Sequence, residues 1–150
     1  MKTHRSLHPG IAIAVAFATL VGCATETPPE ITKAAAISLM DTPWKLTQLG
    51  DEVVSTPPGA REISLVLQAH DQRVTGFAGC NLMMGSYVLK GSEIKFDQMG
   101  STRMACEGRM DIEQRYLAMF AGARRWEITA MSLRLLDATG KTVATFEAHS

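Results

Sequence analysis

Cys80 and Cys106 lie 26 positions apart (106 − 80), inside two segments of unusual composition, Gly76-Phe77-Ala78-Gly79-Cys80-Asn81 and Thr102-Arg103-Met104-Ala105-Cys106. Two thiols can form a disulfide, cycle as a redox couple or share a metal. Neither cysteine belongs to a C-x-x-C, and no histidine stands beside either at ligand spacing. Imidazole is scarce: His4 and His8 are near the start, His70 sits in Gln-Ala-His-Asp and His149 is next to the end. A hydrolase triad or a zinc site needs more, or a Gly-x-Ser-x-Gly elbow, which the chain lacks. Asp111 with Glu113, and Glu93 with Asp97, read as a helix cap and a solvated strand face rather than as catalytic pairs. No catalytic residue, cofactor or metal site is expected, and the chain reads as a non-enzyme.

Asn81, Thr102 and Arg103 flank the cysteines and form a candidate ligand patch. Against that reading, Asn81 and Thr102 are residue types that satisfy turn backbone groups, and an arginine there is ordinarily solvated. Met83, Met84, Met99, Met104 and Met110 crowd 28 positions (110 − 83 + 1). Thioethers suit Cu(I), and methionine also makes adaptable surfaces, but core filling is the leading reading. Adjacent Met83 and Met84 point to opposite faces of a strand, which does not suit a copper site.

The third cysteine carries a different chemistry. Lys2, His4 and Arg5 make a basic start, and residues 11–22 are an apolar run of 12 (22 − 11 + 1). A membrane span needs about 20 apolar residues, so this run reads as an export signal. Its end, Leu20-Val21-Gly22-Cys23, resembles the lipobox of bacterial lipoproteins. That resemblance implies a signal peptide over 1–22, cleavage before Cys23 and lipidation of its thiol. Several acyl chains hold a protein on a bilayer where one holds it only marginally. Ala24, rather than Asp, resembles the signal for the outer membrane, so the expected location is the cell envelope, on the outer membrane facing the periplasm. Export also decides between the readings of Cys80 and Cys106, because an oxidising compartment favours a structural disulfide.

Formal charge is zero, with 15 basic and 15 acidic residues; loss of Lys2 and Arg5 leaves 13 against 15, a net of −2. Phosphate binding leaves a basic stripe and none is visible, so no nucleic-acid partner is expected. Arg124-Arg125 is the only adjacent basic pair after the signal. Residues 23–40 contain Pro28-Pro29 and read as a lipidated tether, with a short helix over 31–40 as the less favoured alternative.

Positioning the two signatures falls to the domain, 41–150. Alternation and turn residues predict strands over 44–49, 63–68, 73–80, 85–90, 93–97, 125–129, 132–136 and 142–147. Ile94 and Phe96 alternate with Glu93, Lys95 and Asp97, giving one buried and one wet face. Asp111, with Gln114 three residues on, predicts a capped helix whose inward face is Ile112, Tyr116, Met119 or Phe120, and Ala123. The fold class is α+β, mostly β: an about eight-stranded curled antiparallel sheet or partly open barrel with one helix packed on it.

The runs Val74 to Asn81, Gly85-Ser86-Tyr87, Ile94-Lys95-Phe96 and Thr102 to Cys106, with Trp44…Leu46 before them and the helix and Leu133…Leu135 after, resemble the META domain of HslJ-like heat-shock lipoproteins. The likeness covers about 41–147. It implies a curled antiparallel sheet, an envelope role in stress or antibiotic tolerance, envelope proteins or components as partners besides the membrane itself, and no catalytic residues. The alternative expectation is a small-ligand or copper carrier using the barrel interior or the methionine cluster.

Overall fold

A computed structural model describes residues 37–149. Nine strands and one helix follow in order: β1 Trp44–Leu49, β2 Glu52–Val53, β3 Ser64–Leu67, β4 Arg73–Phe77, β5 Leu82–Lys90, β6 Glu93–Ser101, α1 Met110–Gly122, β7 Arg125–Thr129, β8 Ser132–Leu136 and β9 Thr142–Ala148. All strand pairs are antiparallel and form one sheet in the order β2-β1-β3-β4-β5-β6-β7-β8-β9. The sheet curls until β1 also pairs with β9, from Trp44↔Ala148 to Leu49↔Ala144. The curled sheet with one packed helix is the architecture the sequence predicts. β1 has two free edges to fill: β9 runs along one, while β3 takes the start of the other and the short β2 its end.

The curl has one loose joint. β6 and β7 share a single ladder pair, Glu93↔Arg125, flanked by Ile94 N–H to Arg124 O and Trp126 N–H to Ser92 O. Beyond that point the strands diverge. β6 runs on beside α1, and β7 runs past the β5–β6 turn, where the Trp126 indole donates to Gly91 O at 3.1 Å.

The helix covers this curl with an aromatic cluster. Tyr116 and Phe120 stand edge-on with centroids 5.1 Å apart; Phe120 meets Phe96 of β6 at 4.8 Å, and Tyr116 meets Phe146 of β9 at 6.2 Å. Three tilted aromatic contacts of this kind each add about 1 kcal/mol to the area they bury. They tie the middle of the sheet to its last strand. Among the described residues, Trp44, Leu46, Leu65, Leu67, Val74, Leu133, Leu135 and Ala144 complete the core.

Leu39, assigned to the tether in the sequence reading, is 6% exposed and joins this core, and its carbonyl accepts the Trp44 indole N–H at 2.9 Å. Residues 37–40 form no helix, and the rest of the alternative tether helix lies outside the described residues.

Three local expectations are corrected. Asp111 does not cap α1: the helix begins two residues earlier than that cap would place it, Arg109 holds the N-cap position without a side-chain cap bond, and Asp111 instead accepts from Arg115 one turn on. Glu113, read with Asp111 as part of the helix cap, is buried. Strand β4 also stops at Phe77 rather than Cys80, because Gly79 takes a left-handed φ of 124° and turns the chain.

Gly76 shows why small residues fill this strand. A Cβ there would drive into the Ser64 carbonyl oxygen of β3 and crowd the Met83 side chain. Backbone cannot move aside as a flexible side chain can. Gly76→Ala is therefore expected to cost about 2 kcal/mol or more, read as a thermal midpoint lowered by roughly 10 °C. Gly100→Ala, where no atom lies within 4 Å of the added carbon, is the control and leaves the midpoint nearly in place. Equal effects of the two changes would contradict the close-approach explanation.

The chain's two tyrosines, Tyr87 and Tyr116, both have phenol pKa values raised by burial, Tyr116 most strongly. A raised folded pKa gives stability that is intact below the unfolded value near 10 and fades as pH climbs through the folded one. Ultraviolet titration of the native protein is expected to show less than half the tyrosinate of the urea-unfolded chain at pH 10. Coincident native and unfolded titration curves would refute this.

Candidate functional site

The turn leaving β4, the entry to β5, the strap 102–109 and the first turn of α1 meet at one place. Residues 78–81 reverse the chain, with Ala78 N–H bonding Asn81 O at 2.8 Å. The Cys80 and Asn81 N–H groups then point the same way, at one carboxylate. Glu113 Oε2 accepts them at 3.1 and 2.8 Å, and Oε1 accepts Asn81 Nδ2–H at 2.8 Å and the Ser101 hydroxyl at 3.5 Å. Glu113 is only 4% exposed. A buried carboxylate is tolerable when its lone pairs are met by donors, and here four donors converge on it.

Asn81 completes the arrangement. Its Oδ1 accepts from the Thr102 hydroxyl at 2.8 Å and Met104 N–H at 2.7 Å, and its Nδ2 donates to Met104 O at 3.0 Å as well as to Glu113. A side-chain amide has two donor hydrogens and two acceptor lone pairs, and all four are engaged. The two signatures are thus stitched by one amide. Beside it Cys80 and Cys106 form a disulfide with Cα atoms 5.8 Å apart, within the ordinary span. Closing a loop of that length stabilises the fold by about 3 to 4 kcal/mol on the chain-entropy model.

The candidate ligand patch is divided by this geometry. Asn81 is 1% exposed and fully bonded, Thr102 is exposed but spends its hydroxyl on Asn81, and Arg103 is exposed outside the network. Glu113 is the residue that sequence reasoning misplaced. The usable signal was its position three before Tyr116, which puts it on the buried stripe with Phe120 and Ala123. The methionines also separate: Met83 is buried and Met99 packs on the core, while Met84, Met104 and Met110 are 46%, 60% and 43% exposed. Inside the curl the space is filled by Trp44, Tyr116, Phe120, Phe146 and their neighbours. Of the histidines, His70 lies 3.3 Å from Asp71 and His149 3.4 Å from Glu62, both at the surface. Cys23 and the export signal lie outside the described residues.

A curled nine-stranded antiparallel sheet, one covering helix and a disulfide-linked pair of signatures define a small α+β domain with a polar knot at one end. The META domain family profile matches residues 37–150, and the chain belongs to that family. The fold is similar to an NMR structure of a protein from Burkholderia xenovorans, with 32% identity and a TM-score of 0.61 over 75% of this chain and 84% of the other. A second NMR structure, at 18% identity and a TM-score of 0.58, covers 75% of this chain and 95% of its own and shares the fold. None of the curated proteins compared with the chain matches it.

Removing the Glu113 carboxylate would leave the buried Cys80 and Asn81 N–H groups and one Asn81 amide hydrogen without an acceptor. Glu113→Leu is expected to cost about 3 kcal/mol or more in urea unfolding. Glu113→Gln keeps one acceptor oxygen and is expected to lose distinctly less. A Glu113→Leu protein as stable as the parent would remove the carboxylate from its central place.

Proposed function

We propose that this protein is a lipid-anchored envelope lipoprotein whose META domain is a non-catalytic interaction module supporting envelope stress or antibiotic tolerance. One observation carries the non-catalytic part. The polar groups that the two signatures bring together are used up in bonding one another, from the four donors on Glu113 to the four bonds of Asn81. Such a site holds a shape; a reacting site needs groups left over for substrate.

Anchoring rests on the lipobox-like Leu20 to Cys23 and on the apolar run before it. A disulfide in the folded domain is consistent with an exported protein. Partners in this reading are envelope proteins or components, and the exposed Met84 and Met104 beside the stitched signatures offer an adaptable apolar contact.

Cys23→Ala tests the anchor. The parent is expected in the membrane fraction of lysed cells, carrying the mass of its acyl chains, and the variant in the soluble fraction after processing or release. In a strain lacking the gene, survival under envelope stress should be restored by the parent and not by the variant. An intact, membrane-bound and unacylated Cys23→Ala protein would refute the anchoring, and equal rescue by both would separate the stress role from it.

A further inference from the structure

The loose joint between β6 and β7 opens a groove of about 890 Å³ on the outer face of the sheet. Val88 supplies its exposed apolar lining, and its charged lining is Lys90, Lys95, Arg124, Arg125 and Glu93, with the β8–β9 turn as the far wall. Four cations therefore face one carboxylate in a chain with a net charge of zero. Elsewhere among the described residues, Lys45, Arg73, Arg115, Arg134 and Lys141 have a carboxylate partner, while Arg61, which lies over the Phe77 ring, and the scattered Arg103 and Arg109 do not. Among the described residues Lys90, Arg124 and Arg125 have none within 4 Å, and Lys95 reaches Asp97 only at 4.0 Å. Arg124 gives one nitrogen to the carbonyls of Ala121 and Ala123 at the end of α1, which fixes its position at the rim. Like charges collected along one groove repel, and an anion relieves that repulsion.

We propose that this groove docks the negatively charged phosphodiester headgroups of a lipid surface. Charge complementarity favours an anion, and the open groove with Val88 58% exposed beside the cations favours one that carries apolar substance with it. The inference deepens the anchoring reading and rests on it for its biological setting: a domain hung from a membrane meets headgroups before any soluble anion. The sequence alone conceals the groove, because its cations come from β5, β6, the α1–β7 connection and the start of β7.

The test uses a non-lipidated chain starting at Ala24, which retains every described residue, so that anchoring by Cys23 plays no part. Co-sedimentation is expected with vesicles of equal parts phosphatidylcholine and phosphatidylglycerol and not with phosphatidylcholine alone, weakening as salt rises. Each groove cation removed should weaken binding about fivefold, so Lys90→Ala with Arg125→Ala should weaken it about twenty-five-fold. Arg134→Ala, a carboxylate-paired cation, is the control and should change it less than twofold. The proposal is overturned by binding that ignores phosphatidylglycerol or by a control that loses as much as the groove variant. It is equally overturned if inorganic phosphate raises the thermal midpoint while vesicles do not bind, or if the groove variant changes only self-association. Failure here leaves the Cys23→Ala result untouched, and the converse also holds.

Discussion

A single buried carboxylate governs how this domain is joined. Glu113 belongs to the helix, but its acceptors face the turn after β4, the amide of Asn81 and the end of β6. Each of those donors would be expensive to bury alone, and so would the carboxylate. Together they are mutually satisfied, so the helix, the turn and the strap 102–109 have to assume their places jointly. Low local polarity strengthens the arrangement, since a bond to a charged group in a dry site is worth roughly twice a neutral one. The disulfide adds to the same joint from outside by limiting how far the strap can stray when the chain unfolds.

The two signatures acquire a physical meaning from this joint. Gly76 admits the carbonyl of β3, and Gly79 supplies the φ of 124° that turns the chain toward the helix. Cys80 then presents an N–H to Glu113 and a sulfur to Cys106. Asn81 carries the amide that reads the backbone of Met104 in both directions, donor to its carbonyl and acceptor from its N–H. Thr102 closes the last lone pair. Residue types that look, in a string, like a reactive cluster are accounted for as parts of a turn-and-strap lock.

Much of the sheet was legible because its strands alternate. β1, β7 and β8 have the expected bounds, and Ile94 and Phe96 lie inward with Glu93, Lys95 and Asp97 outward. What escaped has a common cause, namely that the deciding partner is far along the chain. β2 is two residues long and exists because β3 leaves part of an edge of β1 free. β5 starts at Leu82, before the expected Gly85, since pairing with β4 carries it through the methionines and shifts register near Gly85. Leu39 read as tether because nothing local reveals that the Trp44 indole needs its carbonyl. Glu113 reads with Asp111 as part of the helix cap, and acids in a first helical turn do as a rule favour the dipole. Here that role falls to Asp111, and the tertiary donors from residue 80 onward overrule the rule for its neighbour.

The same geometry separates stability from availability. At the signature end, hydrogen-bonding capacity is spent internally, and substitution there should be felt first as unfolding. At the opposite joint the ladder between β6 and β7 is one residue pair long, and α1 rather than hydrogen bonding holds the curl together behind it. A sheet that bends back until β1 meets β9 has to release its twist somewhere, and it does so where the helix can cover the core that parting strands would expose. The outer lips of that opening are then free to carry charge without endangering the interior. Lys90, Lys95 and the two arginines stand on those lips, outside the aromatic cluster. A fold locked at one end and split at the other can therefore change what it touches at the split while the lock keeps it folded.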